Sequence, residues 1–290
     1  MRIVILSTML TDRRGIGEWG FSALVETGGQ RLLFDTGGRP DTVLQNAAAL
    51  GIDLAPVTDV VLSHGHWDHT GGLVALRRAL RERNPAALSR AHVGPGFFVE
   101  RFRAGKPFSL TAAARAEYEA LGGSFVEHAR PAEPWPGVRV TGPVPRHHAE
   151  GNLPRDIVIG SAQATATDQV PEDVSLVVET PQGPVVLTGC GHAGIVNTLE
   201  AALGVAGGDR IHAVVGGLHL FEADDAALAW TGAQFRRLGV QHVLGTHCTG
   251  VEAVFRLREA AGLDRKTCSM GAVGASFDSS KGIDPGLLAR

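Results

Sequence analysis

The stretch His64-Gly65-His66-Trp67-Asp68-His69-Thr70-Gly71-Gly72 places three imidazoles and a carboxylate within six positions. Residues 58–62 (TDVVL) before it read as a short buried strand, and residues 73–80 (LVALRRAL) after it as an amphipathic helix. The cluster therefore lies on a strand-to-helix turn. There His64 and His66 can point the same way, while Asp68 and His69 swing onto the start of the helix. One pair could serve one metal and the second pair a neighbouring metal. Neutral imidazole nitrogen and carboxylate oxygen suit zinc, and also manganese or iron. The competing reading, a polar loop with chance histidines, requires the ligand types and the Gly71-Gly72 pair to coincide at a strand end.

The stretch resembles the H-x-H-x-D-H signature of the metallo-β-lactamase superfamily and matches it at every ligand position. Further segments stand in that superfamily's order: 20–25 followed by 32–37 (LLFDTG), 188–197 (TGCGHAGIVN), 216–220 (GGLHL) and 246–250 (THCTG). The last three look like the branch named after 7,8-dihydropterin-6-methyl-4-(β-D-ribofuranosyl)-aminobenzene-5′-phosphate synthase, a name that is a poor guide to substrate. The resemblance spans residues 1–262. It implies a four-layer αββα sandwich over residues 1–290 as one domain.

It also implies two divalent metal ions, zinc first and manganese or iron as alternatives. Site one would use His64, His66 and His192, and site two Asp68, His69 and His247. Many superfamily members have a metal-bridging aspartate where this chain has Cys190. A thiolate could ligate in its place, because a nearby metal lowers a thiol pKa, or Cys190 only packs while His192 reaches the metals. A histidine that usually precedes this motif has no clear equivalent; the adjacent pair His147-His148 is the one candidate, and exposure in a Pro-rich loop is the competing reading. His219 ends a strand on the same rim, where contact with substrate or acid catalysis fits as well as coordination. Arg146 is a weaker candidate for an anionic substrate group.

The activity implied is metal-dependent hydrolysis, since metal binding brings the pKa of water from above 15 down to about 7. Phosphodiesters or phosphate-bearing compounds come ahead of lactones and thioesters, with Asp68 and His219 at the reacting centre. A transferase joining a pterin pyrophosphate-like substrate to an aromatic amine is the alternative the branch name implies. A di-iron redox protein and a non-catalytic metal-binding protein remain further alternatives. Trp19, Trp67 and Phe97-Phe98 could wall a ring-bearing substrate, though core packing explains each aromatic equally well.

The rest of the chain narrows the setting. With 290 residues and 44% hydrophobic content there is ample material for a core. A formal charge of −3 provides no footprint for nucleic acid or an anionic membrane, and the arginines of 77–83 are interleaved with Glu82 on one helix face. The apolar start, Met1 to Leu6, is too short for a signal peptide, and no apolar run approaches the length of a membrane span. A cytoplasmic enzyme acting on a small molecule is expected, and a homo-oligomer stays open. Cys190, Cys248 and Cys268 are odd in number and unsuitably spaced for a zinc ribbon, so no disulfide framework is expected.

Two motifs fail on context. Gly15-Ile-Gly17-Glu-Trp-Gly20 precedes a strand, the reverse of what a dinucleotide fold needs, and reads as a flexible loop near the site. Asp35-Thr36-Gly37 copies the aspartic protease triplet, but such a site needs two and the chain has one. Asp35 at a strand end is better placed to hydrogen-bond a ligand histidine.

Strands are expected near 2–6, 21–27 and 30–34, a helix near 40–50, and a hairpin through residues 181–184. Helix and strand then alternate from 195 to 261. Residues 83–170, rich in proline, read as irregular loops over the site, and 264–290 as a weakly structured tail. His92, His128, His212 and His242 read as ordinary surface or core residues.

Overall fold

In the strand Arg2–Ser7, Ile3 and Ile5 turn one way, Val4 and Leu6 the other, and all four are buried. A strand with that period of two loses both faces to the interior only between two layers. The computed structural model, which describes residues 1–109, 111–150, 152–161 and 164–287, shows which layers these are. Ile3 and Ile5 join Val25, Phe34 and Val61 against Leu176, Val185, Leu187 and Val215 of a second sheet. Val4 joins Leu24, Leu33 and Val60 beneath the helices Thr42–Ala49 and Leu73–Arg81. On the far side Val186, Val214 and Val243 pack under the helices Ile195–Ala206, Asp225–Arg237 and Val251–Ala261. The layers run helix, sheet, sheet, helix, the αββα sandwich expected.

The first sheet has eight strands in the order Gly282–Asp284, Ser276–Asp278, Arg2–Ser7, Ser22–Thr27, Gln30–Phe34, Asp59–Val61, Arg90–Val93 and Ser124–Glu127. The second has seven: Cys268–Met270, His242–Gly245, Ala213–Gly216, Val185–Thr188, Leu176–Val178, Val138–Val140 and Ala132–Trp135. Each sheet contains a parallel block, Gln30–Phe34 through Ser124–Glu127 in the first and Val185–Thr188 through Cys268–Met270 in the second. Asp35, His64, Cys190, His219 and His247 all follow the carboxyl ends of strands in these blocks, the edge where open α/β sheets bind ligands.

Two expectations need correction. Residues 83–170, expected as irregular loops, also carry regular elements. They add two strands to each sheet, carry the helix Thr111–Ala120, and build a separate four-stranded sheet ordered Ala164–Thr167, Ile157–Ser161, Arg101–Arg103, Lys106–Ser109. Of the prolines that suggested loops, Pro107 and Pro134 lie in edge strands, where a missing N–H costs no ladder bond, and the others lie between elements. The tail likewise supplies three strands, Cys268–Met270, Ser276–Asp278 and Gly282–Asp284. Each is three residues long, too short to show a period, and two of them pair with partners far away in the sequence.

Candidate metal centre

The first motif folds as its flanks dictate. After the strand Asp59–Val61 the chain turns at Ser63 to His66, and Trp67–Thr70 forms one helical turn with His66 before it in extended conformation. Gly71 and Gly72 are required by contact: a Cβ on either would meet the backbone oxygen of Gly38 or Thr36 at 2.1 Å. That approach brings the Asp35 turn against the histidines.

Donor atoms then converge, all within 4.8 Å of one another in each group. His64, His66 and His192 form one group and Asp68, His69 and His247 another. Cys190 stands between them, grouped with His64 and His69, with His192 and His219, and with His247 and Cys248. A tetrahedral ion with bonds of about 2.0–2.3 Å needs ligand-to-ligand edges of roughly 3.3–3.8 Å. The spacings of 3.7 Å between His69 Nε2 and Asp68 Oδ2, and 3.2 Å between His247 Nε2 and Asp68 Oδ2, are of that order.

One ring nitrogen of each of four histidines is tied down, and His69 also meets Cys190 Sγ through Nε2 at 3.1 Å. His64 Nδ1 meets Ser63 Oγ at 2.9 Å, His66 Nε2 meets Asp168 Oδ2 at 3.2 Å, His69 Nδ1 meets Asp35 Oδ2 at 2.7 Å, and His192 Nδ1 meets the Asn152 carbonyl at 2.7 Å. Asp35 is itself held by the Ser63 N–H and hydroxyl, both at 2.7 Å. By contrast His64 Nε2, His192 Nε2, His219 Nδ1 and His247 Nδ1 are buried without a hydrogen-bond partner among the described residues, while His247 Nε2 faces Asp68 Oδ2 at 3.2 Å. Buried polar atoms are rarely left so, and ions held by the two donor groups would give His64 Nε2 and His192 Nε2 their missing partners. Burial, reinforced by the neighbouring histidines, pushes His64 and His192 well below the ordinary imidazole pKa, which keeps them neutral as ligands must be. Burial would also lower His69, but Asp68 and Asp35 outweigh it and raise it to about 9. Burial and the adjacent Cys248 push the Cys190 thiol up. Cys248 is lowered, because the hydrogen bond with Cys190 and the charge of His247 outweigh its burial. Asp35, His219 and His247 all have left-handed backbone, with φ of 56°, 49° and 47°.

A network absent from the sequence reading backs His66. Asp168 accepts from Arg101 Nε at 2.7 Å, Arg101 Nη2 also donates to Glu172, and Glu172 accepts from the Gly65 N–H at 3.0 Å. The side chains of Arg101, Asp168 and Glu172 are fully buried.

Above the cluster lies a cavity of about 570 Å³, with Cys190, His192, His219 and Cys248 in its wall. Arg103 and Arg155 provide its cationic groups, and Trp19, Trp67, Phe108 and Phe221 its aromatic ones. Three expectations are corrected here. Arg146 lines a neighbouring cavity, and its guanidinium is spent on the carbonyls of Gln169 and Val170. Phe97 is buried in the first sheet's outer core and Phe98 packs against it, so neither walls the cavity. Cys248, given no role from sequence, belongs to the cluster. His147 and His148 stay outside all of these groups, with His148 Nε2 3.1 Å from Glu200. His92 and His128 stack on each other beside Asp59, and His212 and His242 lie beside Phe277, both pairs away from the cluster.

The sequence profile of the metallo-beta-lactamase superfamily matches residues 20–202. The chain belongs to the metallo-β-lactamase superfamily. Over 239 residues it is 30% identical to the 7,8-dihydropterin-6-methyl-4-(beta-D-ribofuranosyl)-aminobenzene-5'-phosphate synthase of Methanocaldococcus jannaschii, covering 79% of each chain. The crystal structure of Tm1679, a metal-dependent hydrolase of the β-lactamase superfamily, superposes with a TM-score of 0.78 at 30% identity, covering 96% of this chain and 98% of that one. Zn(2+)-bound PqqB from Methylobacterium extorquens shares the fold, with a TM-score of 0.57 at 18% identity over 96% and 100% of the two chains. The superfamily is one of enzymes that bind divalent metals, hydrolases and synthases among them. No helix among the described residues of this metallo-β-lactamase-like chain is long and apolar enough to cross a membrane.

Proposed function

We propose that the protein hydrolyses a phosphate-bearing small molecule with the help of two divalent ions, zinc in the first instance. The observation that carries this reading is the converging donor groups, with unpartnered His64 Nε2 and His192 Nε2, beside a cavity that Arg155 also lines. His64, His66 and His192 would hold one ion, and Asp68, His69 and His247 the other, with Cys190 within reach of both. Nitrogen and sulfur donors favour zinc over magnesium or calcium. Ions bound there would supply Lewis acidity toward a phosphoryl oxygen and lower the pKa of water toward about 7.

The chain's own residues do the rest. Asp35 and Asp168 fix the rings of His69 and His66 through their outward nitrogens. Arg155 would bind the anionic end of the substrate, beside Arg103, whose guanidinium pairs with Asp156 at 2.9 Å, and the aromatic side chains around them would cover its apolar part. His219 Nδ1, in the cavity wall and free of protein partners, is placed to hand a proton to the leaving group.

Likeness to the archaeal synthase supports a second reading, in which an organic nucleophile replaces water. Elemental analysis of protein purified without chelator tests the centre, with about two equivalents per chain expected. A panel of phosphodiesters, phosphomonoesters and lactones in ¹⁸O-water tests the reaction. Label in the phosphate or phosphomonoester product, or in the carboxylate from a lactone, supports hydrolysis; turnover that needs an added amine and leaves the label out supports transfer.

A further inference from the structure

Cys190 and Cys248 are drawn from different turns, one after the strand Val185–Thr188 and one after His242–Gly245. Their sulfurs lie 3.3 Å apart. That is shorter than the roughly 3.8 Å edge of two sulfurs on one tetrahedral ion, and a disulfide bond at about 2.05 Å needs only a further approach of about 1.2 Å. Gly217 makes room for the pair: a Cβ there would meet Cys248 Sγ at 2.9 Å. Both residues are almost wholly buried from bulk solvent, yet both line the central cavity, which gives a small molecule a route to them. Cys268 is buried in another strand and lines no part of that cavity, so the three thiols are not equivalent.

We infer that Cys190 and Cys248 form an oxidisable dithiol, which a peroxide entering the cavity converts to a disulfide that competes with metal. The first sulfur attacks a peroxide oxygen and becomes a sulfenic acid, releasing one water; the second displaces the hydroxyl as another water and closes the S–S bond. Two thiols and one hydrogen peroxide thus give one disulfide and two waters: each sulfur is oxidised by one electron and each peroxide oxygen reduced by one. The bond withdraws Cys190 from every donor group it joins and Cys248 from the group with His247. The competition rests on the proposed metal centre; the bond itself does not.

The test treats the protein, as purified and again after chelation, with a small excess of hydrogen peroxide and maps the peptides by mass. A Cys190–Cys248 crosslink is expected, with a mass loss of about 2 Da, reversal by dithiothreitol, and a fall from three free thiols to one. Cys268→Ser should leave the crosslink intact, while Cys190→Ser and Cys248→Ser should each abolish it. Bound metal should slow crosslinking tenfold or more, with metal content measured in parallel. Recovery of both cysteines as free thiols or as separate sulfinic acids would overturn the dithiol. Equal rates in protein shown to carry metal and in protein shown to lack it would overturn the competition. Absence of metal from the reduced protein alone would count against the metal centre, not the dithiol.

Discussion

Asp35 Oδ2 sits 2.7 Å from His69 Nδ1, across 34 residues of sequence, and both side chains are fully buried. This contact fixes the tautomer and aim of a candidate ligand. Asp35→Asn preserves the size and tolerates the left-handed backbone that Asp35 adopts, so it isolates the charge. Metal affinity should fall about 10- to 100-fold, measured by chelator competition. An unchanged affinity would remove Asp35 from the centre.

Arg101 supports His66 at one remove, through Asp168. Replacing it with Met keeps much of its volume but leaves the Asp168 and Glu172 carboxylates buried without their cation. A loss of about 3–5 kcal/mol in unfolding free energy is expected, read by urea denaturation of the metal-free protein. Asp168→Asn should cost less stability but alter the visible spectrum of the cobalt-substituted protein, since it changes the partner of the His66 ring.

His219 separates two kinds of role. If it serves the substrate, His219→Ala should lower turnover by about 10²-fold while metal content stays near that of the wild type. His247→Ala should lose metal and activity together. An emptied site in His219→Ala would make it a ligand, a reading its grouping with Cys190 and His192 also permits.

Asp173 gives the stability a pH dependence of its own. Burial raises its carboxyl from 3.8 to about 7, even though the Ala193 N–H donates to it at 2.7 Å. A folded pKa above the unfolded one means that the protonated form is favoured by folding. Its contribution is fully present below about pH 4 and disappears as pH rises through 7, at about 1.4 kcal/mol per unit in between. Asp173→Asn stays neutral, so its stability relative to the wild type should increase from pH 4 to pH 7. A difference that does not vary with pH would refute this account.

The parts of the centre legible in the sequence are those whose chemistry is local. His64, His66, Asp68 and His69 share one turn, and the flanking strand and helix patterns show which way that turn faces. His192, His219 and His247 were legible because each follows a short apolar strand in an alternating helix and strand order. The Asp168, Arg101 and Glu172 network was not, because it joins residues that share no element and lie in a proline-rich stretch. Arg103 and Arg155 reach the cavity from the small four-stranded sheet and the loop before one of its strands, whose three- to five-residue segments carry no recognisable period. A signal for Cys248 did exist, its position beside His247 in a motif already picked out, but spacing alone does not show which way a side chain after a strand end turns.

Among the described residues six non-glycine residues adopt left-handed backbone, and Asp35, His219 and His247 are three of them. For an L-residue that conformation costs about 1–2 kcal/mol, so the edge that carries the candidate metal centre is also where the chain forgoes robustness. Selection for heat resistance alone would be drawn to these positions, where glycine relieves the backbone at once. Variants found in that way would outlast the natural protein while losing side chains of the candidate metal centre, so a search for a hardier version should hold these three residues fixed and look elsewhere.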